Sequence, residues 1–553
     1  MNKKRNYILI LILIAALGIR ICGIWFGLPE RYHEDEIHEV LRALQLGAGS
    51  FNFDRVTKGG YFFLLFIEYA IYFVFLKIAG LIHTAMDFAH MYIRDPSMFY
   101  LIGRATTALI GTINVAVTYL IGKEAHSKKV GLYAALFMCF NYLHAHHSHY
   151  ITVDIPMTCL VTISLLYATR ISSTIKISHY AWCGFYTGLA IITKFPAIIL
   201  LIPITIAHIS STNAAKLKFK GTFFGKEPLI FCLILISVII AGAPGIIREF
   251  PNIFARITSA ASGAQVSEAS VNIPPFYLFK FYLSSLNLAM GAPLLALSCI
   301  GMIYAIYHRN KKIIILASFA IPFFLALSLI KNTELIYARY IMPILPAMAI
   351  FAAVAFYEIL SRLPLKKTAI AAFAIGAIFI IDPGYKIIRK DYQLCQADTR
   401  TLAKQWVENN IPAGTKILIE GHSTKVIEST IPLRNCRKNI INSIKAFEEN
   451  EPGKAMYLRL ELKVLPKITY DLVFIGESSS VSALSHYKQI GIKYFVLRAN
   501  AYAKSTKEKY QDMPDFISRL KKDPDIILVQ SFRSDDWTMP GPDIDIYKLR
   551  EPY

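Results

Sequence analysis

The sequence predicts an α-helical polytopic membrane protein of about eleven spans, followed by a small soluble α/β domain. Three observations carry this. Hydrophobic residues fill 55% of the 553 positions and charged residues only 18%, too apolar a balance for a soluble globule of this length. Apolar runs about as long as a bilayer-spanning helix, roughly 20 residues, recur up to residue 383 with short polar loops between them. From residue 384 onward the chain turns to mixed polar and apolar segments bounded by turn formers.

At the N-terminus, MNKKR precedes the run YILILILIAALGIRICGIWFGL. The run is too long for a signal-peptide core, has no small-residue cleavage site and carries Arg20, so it reads as a first membrane helix with MNKKR in the cytoplasm. The chain then emerges outside after Leu28. Residues 36–47 place Ile37, Val40, Leu41 and Leu44 on one helical face and His38, Glu39, Arg42 and Gln45 on the other, the pattern of an interfacial helix.

The run 61–83 is long enough to span, and loop charge decides between two topologies. If it crosses, the basic loops at 123–129, 170–179, 216–227, 308–312 and 361–367 all fall outside. If it lies along the outer surface or re-enters, all of them fall inside, as cytoplasmic enrichment in lysine and arginine requires. The second topology is expected. It gives a membrane domain over 1–383 with a first outer loop at 29–97, and an extracytoplasmic domain over 384–553. The later spans fall near 98–122, 130–148, 151–170, 180–194, 195–211, 228–248, 286–307, 313–331, 337–360 and 368–383. No internal repeat or low-complexity tract interrupts them.

In the tail, TRTLAKQWVENNI has helical spacing, while TKILIEG, YDLVFIGE, IKYFVLRA, DIILVQSF and DIDIYKL read as strands. The tail has no glycine-rich phosphate loop and no metal-spaced Cys and His, so it carries no chemistry of its own; its placement suggests a cover over the outer face that helps select an acceptor. Of eight cysteines, Cys22, Cys139, Cys159, Cys183, Cys232 and Cys299 sit in apolar runs as small buried hydrophobes. Cys395 and Cys436 lie in the tail, where an exported domain permits a disulfide but does not require one.

The formal charge of +21 is concentrated in loops between apolar runs, which points to membrane topology and anionic lipid headgroups and excludes a nucleic-acid footprint.

Candidate chemistry begins in RYHEDEIHEV, where Glu34, Asp35, Glu36 and Glu39 cluster with His33 and His38 just outside the first span. An ordinary solvated loop and a general base at the water–lipid boundary, with or without a metal, are both open readings. Asp154, in HHSHYITVDIPM, enters an apolar segment, and a carboxylate there needs a partner or a function. The preceding His144, His146, His147 and His149 suit hydrogen bonding better than metal ligation. Arg104, Lys194 and Arg339 are cations at span ends on the same expected face. Each alone reads as a snorkelling side chain. Converging on one face, they suggest a site for an anion, and a lipid phosphate is the anion found at that depth.

Taken in order, these motifs resemble the GT-C superfamily of membrane glycosyltransferases. They are Asp35-Glu36 after the first span, Arg104 at the start of the next, Asp154-Ile155-Pro156, Gly188-Leu189-Ala190 followed by Thr193-Lys194, and Arg339-Tyr340 with Pro343. The nearest likeness is to the protein O-mannosyltransferase and lipid A aminoarabinose transferase group, over residues 5–360, and residues 398–421 resemble the tail domain of many bacterial members. Two departures stand out. His33-Glu34-Asp35-Glu36 replaces a frequent His-Pro-Asp-Glu, and Lys58-Gly59-Gly60-Tyr61 stands where some members have Lys-Pro-Pro-Leu, so Lys58 as a substrate contact rests on the lysine alone.

The resemblance implies a GT-C-like fold in a bacterial plasma membrane and an inverting transfer of a sugar from a polyprenyl-phosphate donor to an acceptor hydroxyl on the outer face. Protein, lipid and polysaccharide acceptors all fit. Asp35 is then the base, Glu36 and Asp154 orient the acceptor or support Asp35, and Lys194, Arg339, Arg104 and Lys58 bind the donor phosphate. No cofactor is required; a divalent cation is compatible with this set. The alternatives are a transporter or lipid flippase, in which charges and broken helices gather near the midplane, and a non-catalytic scaffold that binds polyprenyl lipid.

Overall fold

The computed structural model describes residues 2–49, 60–211, 225–243, 245, 276–329, 336–362, 368–421, 430–475, 483–499, 512–535 and 537–550. The chain is mostly helical, with one small sheet near its C-terminus. It forms two compact units: residues 1–24, 39–69 and 102–389, and residues 25–38, 70–101 and 390–553.

The N-terminal helices are α1 (Asn2–Ile21), α2 (Glu36–Gly47), α3 (Gly60–Ile78), α4 (Ala85–Arg94), α5 (Ser97–Ala125), α6 (Lys128–Cys139), α7 (Tyr142–His147), α8 (Asp154–Ile171), α9 (Ile177–Thr193) and α10 (Leu201–Ile209). Among the described residues, four helices are long and apolar enough to cross a membrane: Gly60–Ile78, Ser97–Ala125, Lys311–Leu329 and Ala338–Arg362. Tyr277–Met290 and Ala292–Tyr307 qualify only as a pair, bent by 106°. Several predicted runs thus fold as shorter or broken helices, and the expected span count is not confirmed. Residues 61–83, read from loop charge as lying along the outer surface or re-entering without crossing, contain α3, which has the length and apolarity of a span.

The breaks have local causes. Within the run 130–148, α6 stops at Cys139 and Asn141 starts α7 by accepting the His144 amide on its side chain at 3.2 Å. In the bent pair, Gly291 adopts φ 77°, where a side chain is disfavoured, and Pro293 follows at the start of the second helix. Helices Ala292–Tyr307 and Leu345–Arg362 approach until Gly301 lies against the Phe351 carbonyl, while Ser298 Oγ donates to the Met348 carbonyl at 2.9 Å. A Cβ at 301 has no room. Gly301→Val is therefore expected to cost about 1–3 kcal/mol through overpacking, which a lowered thermal unfolding midpoint in detergent would report; an unchanged midpoint would refute this packing.

α2 begins and ends where its periodicity predicts, but its protein-covered face is Glu36, Glu39, Val40, Ala43 and Leu46. Ile37, Leu41 and Leu44 are only half-buried. The apolar stripe is thus left for apolar surroundings, while the protein covers the side that carries two carboxylates.

The C-terminal sheet has five strands in the order β2-β1-β3-β5-β4. The strands are β1 (Lys416–Glu420), β2 (Asp471–Ile475), β3 (Tyr494–Arg498), β4 (Ile526–Phe532) and β5 (Ile544–Leu549). β1 runs parallel to β2 and β3, and β5 pairs antiparallel with β3 and β4. Strand alternation builds two cores. Ile417, Ile419, Tyr494 and Val496 pack with Ala403 and Val407 of helix Thr399–Asn410, while Leu418, Phe495 and Leu497 pack with Met513, Phe516 and Leu520 of helix Asp512–Lys522. All five predicted strands and the predicted helix are present. No disulfide joins Cys395 and Cys436.

Candidate functional site

In the first unit, the structure gathers Asp154, Lys194 and Arg339. Asp154 opens α8, and Thr158 donates its hydroxyl to the Asp154 carbonyl at 2.8 Å. Lys194 ends α9 in extended backbone, because the following Phe195–Leu200 segment tightens into a 3₁₀ turn around Pro196. Arg339 sits at the start of a second 3₁₀ turn, Ala338–Ile344. All three side chains therefore come from helix ends, where the chain changes direction and a charged head reaches a common point.

The geometry is tight. Lys194 Nζ lies 2.5 Å from Asp154 Oδ1, and Arg339 Nε lies 3.5 Å from Oδ2. Lys194 also sits 4.0 Å from the Tyr340 ring centre and the Arg339 guanidinium 4.3 Å from that of Tyr337. The Asp154 side chain is only 4% exposed, against 14% for Lys194 and 16% for Arg339. The carboxylate thus lies beneath the two cations, and it is the cations that remain accessible. Two cations thus meet on one carboxylate, an arrangement to which an incoming anion can bind. Tyr337 and Tyr340 were not singled out in the sequence, although Arg339-Tyr340 belongs to the quoted motif.

Arg104 is not among the partners of Asp154. It is fully buried on α5 and donates from Nη1 to the Ile24 carbonyl at 2.6 Å. Lys58 lies outside the described residues.

The histidine cluster serves the packing of the same unit. Arg20 is fully buried; it donates to the Ala16 carbonyl at 2.9 Å and lies 3.0 Å from His144 Nδ1. Asn114 meets His144 Nε2 at 3.0 Å. Arginine only donates, so Nδ1 accepts and Nε2 bears the proton; Asn114, whose Nδ2 lies at that distance, accepts it once its amide is turned to present Oδ1. His144 is therefore a neutral linker between α1, α5 and α7. Among the described residues, no group of three His, Cys, Asp or Glu is placed to hold a metal ion.

Asp35 and Glu36 belong to the second unit, at the turn that opens α2. Asp35 is half-buried and Glu36 fully buried. The residues just before them are firmly held: Tyr32 Oη lies 2.8 Å from Thr401 Oγ1, and Lys404 Nζ lies 2.5 Å from Glu30 Oε1. Burial pushes the Tyr32 phenol above its ordinary pKa.

Residues 99–241, which include Arg104, Asp154 and Lys194, match the family described as dolichyl-phosphate-mannose-protein mannosyltransferase. This agrees with the resemblance carried by the motifs. No curated protein matches the chain. Among solved structures, the oligosaccharyltransferase of Archaeoglobus fulgidus in its apo form aligns with 14% identity and a TM-score of 0.47, over 90% of this chain and 70% of that one. ArnT from Cupriavidus metallidurans bound to undecaprenyl phosphate aligns with 12% identity and a TM-score of 0.49, over 97% of each chain. The arabinofuranosyltransferase AftD from Mycobacteria aligns with 11% identity and a TM-score of 0.44, over 98% of this chain and 40% of that one.

Proposed function

We propose that this protein is a membrane glycosyltransferase that takes a sugar from a polyprenyl-phosphate donor and passes it, with inversion, to an acceptor hydroxyl on the non-cytoplasmic face. The observation that carries the reading is the Lys194–Asp154–Arg339 cluster, two cations on one carboxylate at helix ends, of which Asp154 and Lys194 lie in the segment matching a family named for a polyprenyl-phosphate sugar donor. The leaving group is a phosphate oxygen, which departs readily as a monoester once its growing negative charge is matched. Lys194 and Arg339 would supply that match in surroundings with little water, where such contacts are strongest. Asp35 would take the acceptor proton as the hydroxyl oxygen attacks the anomeric carbon, with Glu36 beside it.

In this reading the membrane domain keeps its N-terminus in the cytoplasm and exports the C-terminal domain, with about eleven passes counted from apolar runs and loop charge. The membrane is the plasma membrane of a bacterium. Asp154 would hold the two cations in place for the phosphate.

The test is turnover of synthetic polyprenyl-phosphate sugars by purified full-length protein in lipid, over a panel of sugars and hydroxyl acceptors. Consumption of at least one donor with release of polyprenyl phosphate is expected. Binding of donors without turnover would replace this reading with a lipid-binding scaffold, and neither binding nor turnover would remove it in favour of a transporter.

A further inference from the structure

Three consecutive side chains grip the backbone just before Asp35 and Glu36, and much of that grip comes from the C-terminal part of the chain. Glu30 is paired with Lys404 at 2.5 Å, and Lys404 also lies 3.7 Å from Glu408 one helical turn on. Arg31 is 6% exposed; its Nη1 donates to Tyr92 Oη at 3.3 Å, and Tyr457 of helix Pro452–Lys463 lies close to it. Tyr32 meets Thr401 through its hydroxyl at 2.8 Å and receives the Arg400 guanidinium 3.7 Å from its ring centre.

The gripping groups are themselves fixed. Asp398 caps helix Thr399–Asn410 and holds Arg400 by two bonds of 2.8 Å, to Nε and Nη2. Thr399 is tied to the chain ahead of β5, its amide to the Pro540 carbonyl and its hydroxyl to the Pro542 carbonyl, both at 2.8 Å. A rigid sheet domain thus presents Arg400, Thr401 and Lys404 as a preset row. On the held segment, Arg31 adopts φ 62°, a left-handed backbone that a long side chain enters only when its contacts compel it.

We infer that residues 390–553 act as a positioning device, a clamp that fixes the backbone of residues 30–32 and through it the direction of Asp35 and Glu36. The inference rests on the reading of Asp35 as the base. Lys404, Arg400, Thr401 and Tyr457 are positioning residues that act through the segment they hold. A misplacement of about 1 Å in a base costs on the order of 100-fold in rate, so loosening the clamp slows the chemical step while leaving donor binding intact.

The experiment uses full-length protein in lipid nanodiscs and compares Lys404→Glu, Glu30→Lys, the double exchange and Tyr32→Phe. Deuterium exchange of the peptide covering residues 27–38 reports the clamp, and kcat and donor KM report its consequence. Each charge variant is expected to raise exchange about 10-fold and lower kcat about 10- to 100-fold with donor KM within about twofold, and the double exchange to restore both. Tyr32→Phe keeps the ring beneath Arg400 and loses only the Thr401 bond, so a loss of about 3- to 10-fold in kcat is expected of it. Unchanged exchange and kcat in all single variants would overturn the clamp. So would an altered order of preference among acceptors at unchanged kcat, which would make the domain a selector instead. If exchange responds as expected while Asp35→Asn turns over like wild type, the clamp stands and the assignment of the base falls.

Discussion

Asp35→Asn is expected to lower kcat for sugar transfer by about 100- to 10,000-fold, the usual contribution of a positioned general base, while leaving donor binding near that of wild type. The substitution keeps the size and planarity of the side chain and removes only its ability to accept a proton. The adjacent Glu36 does not replace it, because its side chain is fully covered while Asp35 is half-exposed. Glu36→Gln is expected to have the smaller effect on the chemical step. Donor turnover measured at saturating acceptor, with wild type and both variants in the same lipid, decides the matter. Turnover of Asp35→Asn within a few-fold of wild type would remove Asp35 from the mechanism.

How far the sequence reaches is clearest where local pattern and tertiary contact part company. The five tail strands were legible as short apolar runs bounded by turn formers, and in β1 the successive residues Ile417, Leu418 and Ile419 serve opposite cores. α2 was legible in extent from its amphipathic period, yet not in which face the protein would cover, because the apolar stripe of a surface helix can face lipid while its polar side meets protein. The convergence of Lys194, Arg339 and Asp154 was expected from their shared position at span ends, and the structure adds that Asp154 pairs with both cations. Arg104 shared the same pattern, and it also donates to the Ile24 carbonyl, a contact 80 residues apart that no local period reveals.

The breaks at Asn141 and Gly291 escaped a reading based on apolar run length, since hydropathy averages straight across a cap or a left-handed glycine. The neutral His144 between Arg20 and Asn114 escaped it too, because the four nearby histidines suggest a cluster when only the fold shows which one is used and by whom. The pairing of Glu30 with Lys404 joins residues 374 positions apart, so only the folded chain could disclose what holds the acidic turn.

The second large effect is expected at Asp154, and it differs in kind from the loss at Lys194. Asp154→Ala leaves two cations facing one another with their shared carboxylate gone; breaking a buried pair in this way typically costs about 3–5 kcal/mol. Lowered thermal stability and loss of turnover should therefore appear together. Lys194→Ala leaves Arg339 to neutralise Asp154, so the fold is expected to survive with a much smaller loss. What disappears is a cation aimed at the leaving phosphate, at a cost of about 100- to 1,000-fold in kcat. The double variant separates the two roles. If the lysine's positive charge is the source of strain once the carboxylate is removed, Asp154→Ala with Lys194→Ala will be more stable than Asp154→Ala alone, a sign of coupling that independent sites do not show. It will remain inactive, because restoring electrostatic balance to the fold does not restore a partner for the phosphate. Thermal unfolding and donor turnover measured on the three variants give both answers. A double variant no more stable than the single one would mean that Asp154 and Lys194 touch without depending on each other, and the cluster would then lose its claim to be a built anion site.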